Sequence, residues 1–168
     1  EEPDNPGHAN LQAAALGRIG EFDEAITLYE RVLQQAPNQP RVWMSFGHML
    51  KTVGRQADGI MAYRKAIELM PQLGEAWWSR ANLKTVRFSG GDIAAMEAAL
   101  AGGDVASEDR FHLDFALGKA LEDRGEAAAS FAHYAAGNAL RRTRIERKTD
   151  QTTRAAGRLR EKTTVVAV

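Results

Sequence analysis

The sequence predicts an all-α fold: an α-solenoid built from stacked antiparallel helix pairs. The first observation is a spacing of 34 residues that recurs for four residue types. The pairs at this spacing are Gly20 and Gly54, Tyr29 and Tyr63, Pro37 and Pro71, and Trp43 and Trp77. The second is composition: alanine is abundant and only 5 of the 168 residues are proline, which favours helix over sheet. A period of this length is typical of folds in which each unit is one helix pair.

The unit at residues 40–73 shows how each helix pair arises. Apolar residues in "VWMSFGHMLKTV" (42–53) recur at helical spacing and predict a first helix. Gly54 then supplies a left-handed turn. The stretch "GIMAYRKAIELM" predicts a second helix, and Pro71 ends it because proline cannot continue a helix interior. Two such helices cannot bury their apolar faces alone, so the units must stack.

A later stretch continues the series with an offset. "FGHMLKTVG" at 46–54 is similar to "LGKALEDRG" at 117–125, and Tyr63 is separated from Tyr134 by the same 71 residues. This distance is two periods plus three residues. We assign the extra residues to a loop in "AGGDVASED" (101–109), which is rich in glycine and polar residues.

The order of residues within a unit resembles the tetratricopeptide repeat: a tryptophan, a small residue four positions on, a turn glycine, an aromatic residue, an alanine and a proline. The best-fitting unit carries Trp43, Gly47, Leu50, Tyr63, Ala66 and Pro71. The resemblance implies a repeat domain at 1–144, with repeats at about 6–39, 40–73, 74–110 and 111–144. The third is irregular, since it has Phe88 in place of the turn glycine and Glu97 in place of the aromatic residue. The resemblance also implies a protein–protein interaction module.

A narrower resemblance covers residues 74–142. The stretches "WWSRANLKTVRFS" and "FALGKALEDRG" are similar to the N-terminal repeat region of bacterial repeat-containing sulfotransferases. In that family the repeats precede a catalytic domain that uses 3′-phosphoadenylyl sulfate. This resemblance implies an alternative function: a docking or regulatory repeat domain of such a sulfotransferase, with the catalytic domain absent from this chain.

The residues themselves offer little chemistry. There is no cysteine, which excludes thiolate nucleophiles and disulfides. A phosphate-binding loop around Gly118 and Lys119 would need glycine at 113 and serine or threonine at 120, but the chain has Leu113 and Ala120. No two of the 4 histidines are spaced i, i+4, so no metal site is predicted. We therefore expect no enzymatic activity, cofactor or metal in this chain.

Two adjacent tryptophans raise the question of a binding surface. Trp77 occupies the position of Trp43 and is predicted to be core, whereas Trp78 points about 100° away on a helix. Two interpretations stay open: the second ring is buried between neighbouring first helices, or it lines a concave groove that binds a peptide or helix of a partner. The predicted groove residues are Met44, Trp78 and Phe115 at equivalent positions, with Arg41, His48, Asn82 and Lys119 on the same face.

Charge is distributed unevenly along the chain. Residues 1–140 hold 13 basic and 19 acidic residues, a net of −6, whereas residues 141–168 hold 9 basic and 3 acidic residues, a net of +6. We predict a basic C-terminal capping helix and truncated tail at 145–168. Nucleic-acid binding is disfavoured, because no aromatic residue is interleaved with these arginines. Oligomeric state is not predicted.

The cellular location of the chain is predicted from its first residues and its hydropathy. No run of 18 apolar residues is present, so no membrane span is expected. The chain begins with Glu1 rather than Met, and we expect a processed form or a piece of a longer protein. The first residues are acidic and polar, unlike a secretory signal, which predicts a cytoplasmic location.

Overall fold

The computed structural model describes residues 6–103 and 105–165, and every regular element within them is an α-helix. The eight helices are α1 (Pro6–Ile19), α2 (Phe22–Gln35), α3 (Pro40–Thr52), α4 (Gln56–Leu69), α5 (Gly74–Ala81), α6 (Gly90–Ala101), α7 (Ser107–Asp123) and α8 (Ala127–Val165). The predicted all-α solenoid is confirmed.

Helices that are adjacent in sequence form most of the contacts, as a stacked solenoid requires. α1 packs on α2, α3 on α4 and α7 on α8, while α2 packs on α3 and α4 on α5 to join successive units. Tight turns separate the paired helices, with Gly54 at φ 83° and Gly125 at φ 76°. These left-handed conformations strain any residue with a Cβ, which explains the glycine spacing that the sequence shows.

A tyrosine packs against a glycine in the two units that keep both residues. A Cβ on Gly47 would lie 2.7 Å from the Tyr63 ring, and a Cβ on Gly118 would lie 2.8 Å from the Tyr134 ring. The missing side chain therefore lets the second helix of each unit approach the first. Tyr63 is fully buried as a result.

A tryptophan in each of the two middle units is hydrogen-bonded to the turn that precedes it. Trp43 Nε1 donates to the Pro37 carbonyl at 2.7 Å, and Trp77 Nε1 donates to the Pro71 carbonyl at 2.8 Å. The bond lets a buried indole satisfy its only polar atom. Trp77 is 2% exposed, as predicted, whereas Trp43 is only half-buried.

The third unit does not form a close helix pair. α5 has only 8 residues, and it packs chiefly against α7 rather than α6. The chain leaves α5 through Lys84 at φ 59°, the one non-glycine residue with positive φ among those described. Phe88 then packs on Trp77 with ring centroids 6.0 Å apart. The four predicted helix pairs are thus three close pairs and one open unit.

The C-terminal region differs from the predicted separate helix at 145–168. α8 runs from Ala127 to Val165 without a break, and it contains no proline that would interrupt it. The proposed cap therefore begins inside α8, and its capping role stays a prediction. Residues 166–168 lie outside the described residues. The predicted loop after α6 is present, since α6 ends at Ala101 and α7 begins at Ser107.

Candidate partner-binding face

Four aromatic rings cluster on the first helices of the last two units and on α8. Trp78 lies 5.4 Å from Phe115, Phe115 lies 6.0 Å from Phe111, and Tyr134 lies 6.3 Å from Phe115, measured between ring centroids. All four are half-buried. We call Trp78, Phe111, Phe115 and Tyr134 the aromatic cluster. It combines a large apolar area with partial exposure, which suits an interaction surface.

The two adjacent tryptophans serve different surfaces. Trp77 belongs to the core around α5, α6 and α7, while Trp78 packs only partly against that core and reaches Phe115. Met44, the third member of the predicted strip, is 7% exposed and lies among the same core residues as Tyr63 and Trp77. Met44 therefore offers almost no surface to a ligand, and the accessible part of the strip is Trp78 with Phe115.

A polar group of three side chains lies where the second unit meets the third. His48 Nδ1 is 2.9 Å from the Tyr63 hydroxyl, and His48 Nε2 is 3.7 Å from the Glu75 carboxylate. With its proton on Nε2, the imidazole accepts from the tyrosine and turns an N–H toward the carboxylate. The neighbouring His48 imidazole lowers the pKa of Glu75 against the opposing effect of burial. Burial raises the pKa of Tyr63 to about 12.

His112 extends this group along the start of α7. Burial lowers the pKa of His112, although the carboxylates of Glu75 and Glu108 favour its charged form. Its Nδ1 atom is buried without a hydrogen-bond partner among the described residues. The ring lies 4.1 Å from that of Phe111. A neutral imidazole thus joins the polar group to the aromatic cluster.

The other predicted groove residues are placed less favourably for contact with one ligand. Arg41 is exposed and acts on Glu75 through its charge. Asn82 is exposed and follows α5 directly as its C-cap. Lys119 forms an ion pair with Asp123 one turn further along α7. The charge of Lys119 is therefore partly neutralised within its own helix.

Sequence reasoning missed three members of this face, which are Phe111, Tyr134 and Arg144. Phe111 lies one helical turn before Phe115, a spacing that places both on one side of α7 and could have revealed it. Arg144 of α8 covers Phe111, with its guanidinium carbon 5.9 Å from the ring centroid, and pairs with Glu108 at 2.6 Å. Only the packing of α8 along α7 brings this arginine into place.

The described residues also form a concavity that none of the aromatic-cluster residues lines. It has a volume of about 600 Å³ and lies between α2, α3 and α4, where Trp43, Phe46, Leu50 and Met61 form its apolar part.

No metal-binding group of three or more His, Asp or Glu side chains occurs among the described residues. Within that same part of the chain, no helix is long and apolar enough to cross a membrane.

Family comparisons agree with the geometry of the first two units. One tetratricopeptide-repeat model matches residues 9–49 and a second matches residues 40–73. Residues 9–73 therefore contain tetratricopeptide repeats. Such repeats are protein-interaction units, and solenoids built from them present extended binding surfaces. The repeats support a protein-interaction role for the chain.

Two relatives match in sequence. Protein FlbA of Caulobacter vibrioides is 28% identical over 138 residues, which are 79% of this chain and 22% of FlbA. The small glutamine-rich tetratricopeptide repeat-containing protein 2 of Mycosarcoma maydis is 30% identical over 69 residues, which are 41% of this chain and 20% of that protein. The chain therefore spans about a fifth of the length of these relatives.

Solved structures of MamA share the fold. One has a TM-score of 0.61 at 15% identity and covers 86% of this chain and 83% of MamA. Residues 41 to the end of MamA from Desulfovibrio magneticus RS-1 give a TM-score of 0.56 at 18% identity, covering 84% of this chain and 78% of that one. At these identities the likeness concerns the arrangement of helices alone.

Proposed function

We propose that the chain is a protein-interaction module that binds a peptide or helix of a partner on the face formed by the aromatic cluster. The observation that supports this is the contact between the half-buried rings of Trp78 and Phe115, which come from neighbouring repeats. The neighbouring ring of Trp77, by contrast, is buried in the core. Aromatic anchors on adjacent repeats suit a ligand that runs along the stack.

The surrounding groups indicate what the ligand would present. Next to the rings lie the Glu75 carboxylate, held ionised by His48, and the Glu108 carboxylate, paired with Arg144. An apolar side chain would lie on Trp78 and Phe115. Backbone N–H groups or a basic side chain of the ligand would face Glu75. Arg41, Asn82 and Lys119 are proposed as secondary polar contacts at the edge of the same face.

The test is a selection from a displayed peptide library, followed by affinity measurements with variants. Trp78→Ala and Phe115→Ala should each weaken the selected peptides about thirtyfold, since a central aromatic anchor contributes about 2 kcal/mol or more. Ile19→Ala is the matched control, because Ile19 is an apolar residue with 74% exposure on α1, which packs on α2 and α3. Peptides that bind Trp78→Ala as tightly as the wild-type chain would contradict the proposal.

A second candidate is a docking or regulatory repeat domain of a sulfotransferase that uses 3′-phosphoadenylyl sulfate. The resemblance of residues 74–142, which includes the irregular third repeat with Phe88, favours it. In this case a strand, a phosphate-binding loop and a helix should follow residue 168 in the gene. The longer protein should bind 3′-phosphoadenylyl sulfate, and the present chain should not. Saturable binding by the present chain would exclude this division of roles.

A further inference from the structure

The concavity between α2, α3 and α4 has an apolar lining that is partly open. Trp43 is half-buried and Met61 is 64% exposed, while Phe46 and Leu50 beside them are buried. The hydrogen bond from Trp43 Nε1 to the Pro37 carbonyl fixes the orientation of the indole. α1 packs on α2 and α5 packs on α4, so the concavity lies within the stack and is not one of its end faces.

The third repeat shows which kind of side chain covers a tryptophan at this repeat position. α3 and α5 begin 34 residues apart, as do α4 and α6, so Trp43 and Phe46 correspond to Trp77 and Arg80. Phe88 packs on both of these residues. Its ring centroid lies 6.0 Å from that of Trp77 and 4.9 Å from the Arg80 guanidinium carbon. The tryptophan of the third repeat is thus covered by an aromatic ring.

The second repeat has no side chain for this role. Gly54 holds the position of Phe88, and a Cβ built on Gly54 would meet no atom within 4 Å. Trp43 stays half-buried, whereas Trp77 is 2% exposed. An aromatic side chain supplied by another molecule would therefore restore to Trp43 the packing that Phe88 gives to Trp77.

The charged rim of the concavity indicates what flanks that aromatic side chain. Four of the lining charges form two ion pairs along α4. The other two, Glu30 on α2 and Arg64 on α4, are exposed and form no ion pair among the described residues. Glu30 also lines a smaller concavity beside Trp43 and Phe46, which places it next to the aromatic lining. A basic group of the ligand would complement Glu30, and an acidic group would complement Arg64.

We propose that this concavity is a second binding site, which takes an aromatic side chain of a partner protein flanked by a basic and an acidic residue. The ring lies on Trp43 and Phe46, the basic residue faces Glu30, and the acidic residue faces Arg64. None of the aromatic-cluster residues lines this site. The proposal therefore goes beyond the peptide binding proposed above and does not depend on it.

The probe is the peptide Gly-Arg-Phe-Glu-Gly with blocked ends, titrated into the isotope-labelled chain and followed by NMR. The chain has 3 tryptophans, and the indole N–H signal of Trp43 is assigned with Trp43→Phe. This signal should shift saturably, and Trp78→Ala should leave the shift unchanged. Replacement of the peptide's phenylalanine by alanine should weaken binding about thirtyfold, since the ring is the anchor.

Variants of the lining test the place of the ring. Met61→Glu should weaken the peptide about tenfold or more, because it puts a carboxylate at the apolar part of the concavity. Ile19→Glu is the matched control, since Ile19 is an apolar residue of α1 with 74% exposure that does not line the concavity, and it should bind like wild type.

Double-mutant cycles test the charge pattern. Glu30→Gln and Arg64→Gln should each weaken the peptide about threefold, as expected for exposed charge pairs. Glu30→Gln should then be insensitive to replacement of the peptide's arginine by glutamine, and Arg64→Gln to replacement of its glutamate. Glu24→Gln removes an exposed carboxylate of α2 outside the concavity and should bind like wild type.

Circular dichroism of each variant verifies folding, and Met61→Ala replaces Met61→Glu if that variant fails. A Trp43 signal that does not shift with the peptide would overturn the proposal. So would binding that survives Met61→Glu or is lost in Ile19→Glu. Loss of the peptide in Trp78→Ala would place it on the aromatic cluster instead, and cycles without coupling at Glu30 and Arg64 would refute the charge pattern.

Discussion

The second repeat (40–73) and the third (74–110) hold their tryptophans in the same way, but their helices pack differently. In both, the indole N–H donates to a proline carbonyl six residues earlier. The second repeat then packs Tyr63 into the space left by Gly47. The third has Ala81 and Glu97 at these positions, and its two helices separate. The tryptophan anchor therefore does not depend on the glycine–tyrosine contact.

Other contacts replace the missing tyrosine in the third repeat. Phe88 covers Trp77, and the Arg80 guanidinium carbon lies 4.9 Å from the Phe88 ring centroid. Arg80 also donates to Asp92 at 2.9 Å, which ties α5 to the start of α6. The second repeat is stabilised by the packing of its two helices around Tyr63. The third repeat is stabilised by Phe88 from a loop, together with the buried ion pair between Arg80 and Asp92.

The largest expected effect is a difference in unfolding free energy among the alanine variants of the three tryptophans. Trp77→Ala should cost about 3–5 kcal/mol of unfolding free energy, since it leaves a cavity under Phe88. Trp43→Ala and Trp78→Ala should each cost clearly less, because both rings are half-buried and leave no sealed cavity. Urea unfolding of the three variants measures this order. Equal losses for Trp77→Ala and Trp78→Ala would show that the second ring is core.

A smaller effect concerns the aspartates at equivalent positions of the two repeats. Asp92→Asn should cost about 2 kcal/mol, because it removes charge-assisted hydrogen bonds to Arg80, whose side chain is 9% exposed. Asp58→Asn is the matched control, since its pair with Arg55 is about half exposed and should contribute less than about 0.5 kcal/mol. Thermal unfolding of both variants tests the difference, and equal shifts in Tm would contradict it.

The Asp92 carboxylate should make the stability of the protein depend on pH. Burial raises the pKa of Asp92, but hydrogen bonds from Arg80 and Ser89 outweigh it and hold the pKa below its ordinary value. The stabilisation is therefore complete above the ordinary pKa of an aspartate and is lost as the pH falls through the lowered one. Asp92→Asn should therefore reduce the acid sensitivity of stability, as measured by urea unfolding at a series of pH values.

The smallest expected effect on stability concerns two turns: the one after α3, which contains Gly54, and the one after α5, which contains Lys84. Lys84→Gly should raise stability by about 0.5–1 kcal/mol, because relief of the left-handed strain exceeds the entropy cost of glycine. Gly54→Ala should lower stability by about 1 kcal/mol, since it introduces the same strain at φ 83°. Chemical denaturation measures both. A loss of stability in Lys84→Gly would mean that the lysine makes a compensating interaction.

Much of the fold could be predicted because it depends on local rules that repeat. Gly54, Pro71 and Trp77 each act through backbone conformation or nearby packing, so their 34-residue spacing predicts helices, turns and core together. Because Trp78 follows Trp77 directly on a helix, the sequence also predicts that the Trp78 side chain points to a different surface. The binding role of that surface stays a prediction.

Only the tertiary structure decided which equivalent residues are accessible. Met44 and Phe115 share one repeat position, yet Met44 is buried beside Tyr63 while Phe115 meets Trp78 and Tyr134. Phe88, which stands where a turn glycine was expected, becomes core because α5 stops early and the loop folds over Trp77. The period assigns a residue its place within a repeat, but its burial depends on which neighbouring helix covers it. That neighbour is set by packing between units distant in sequence.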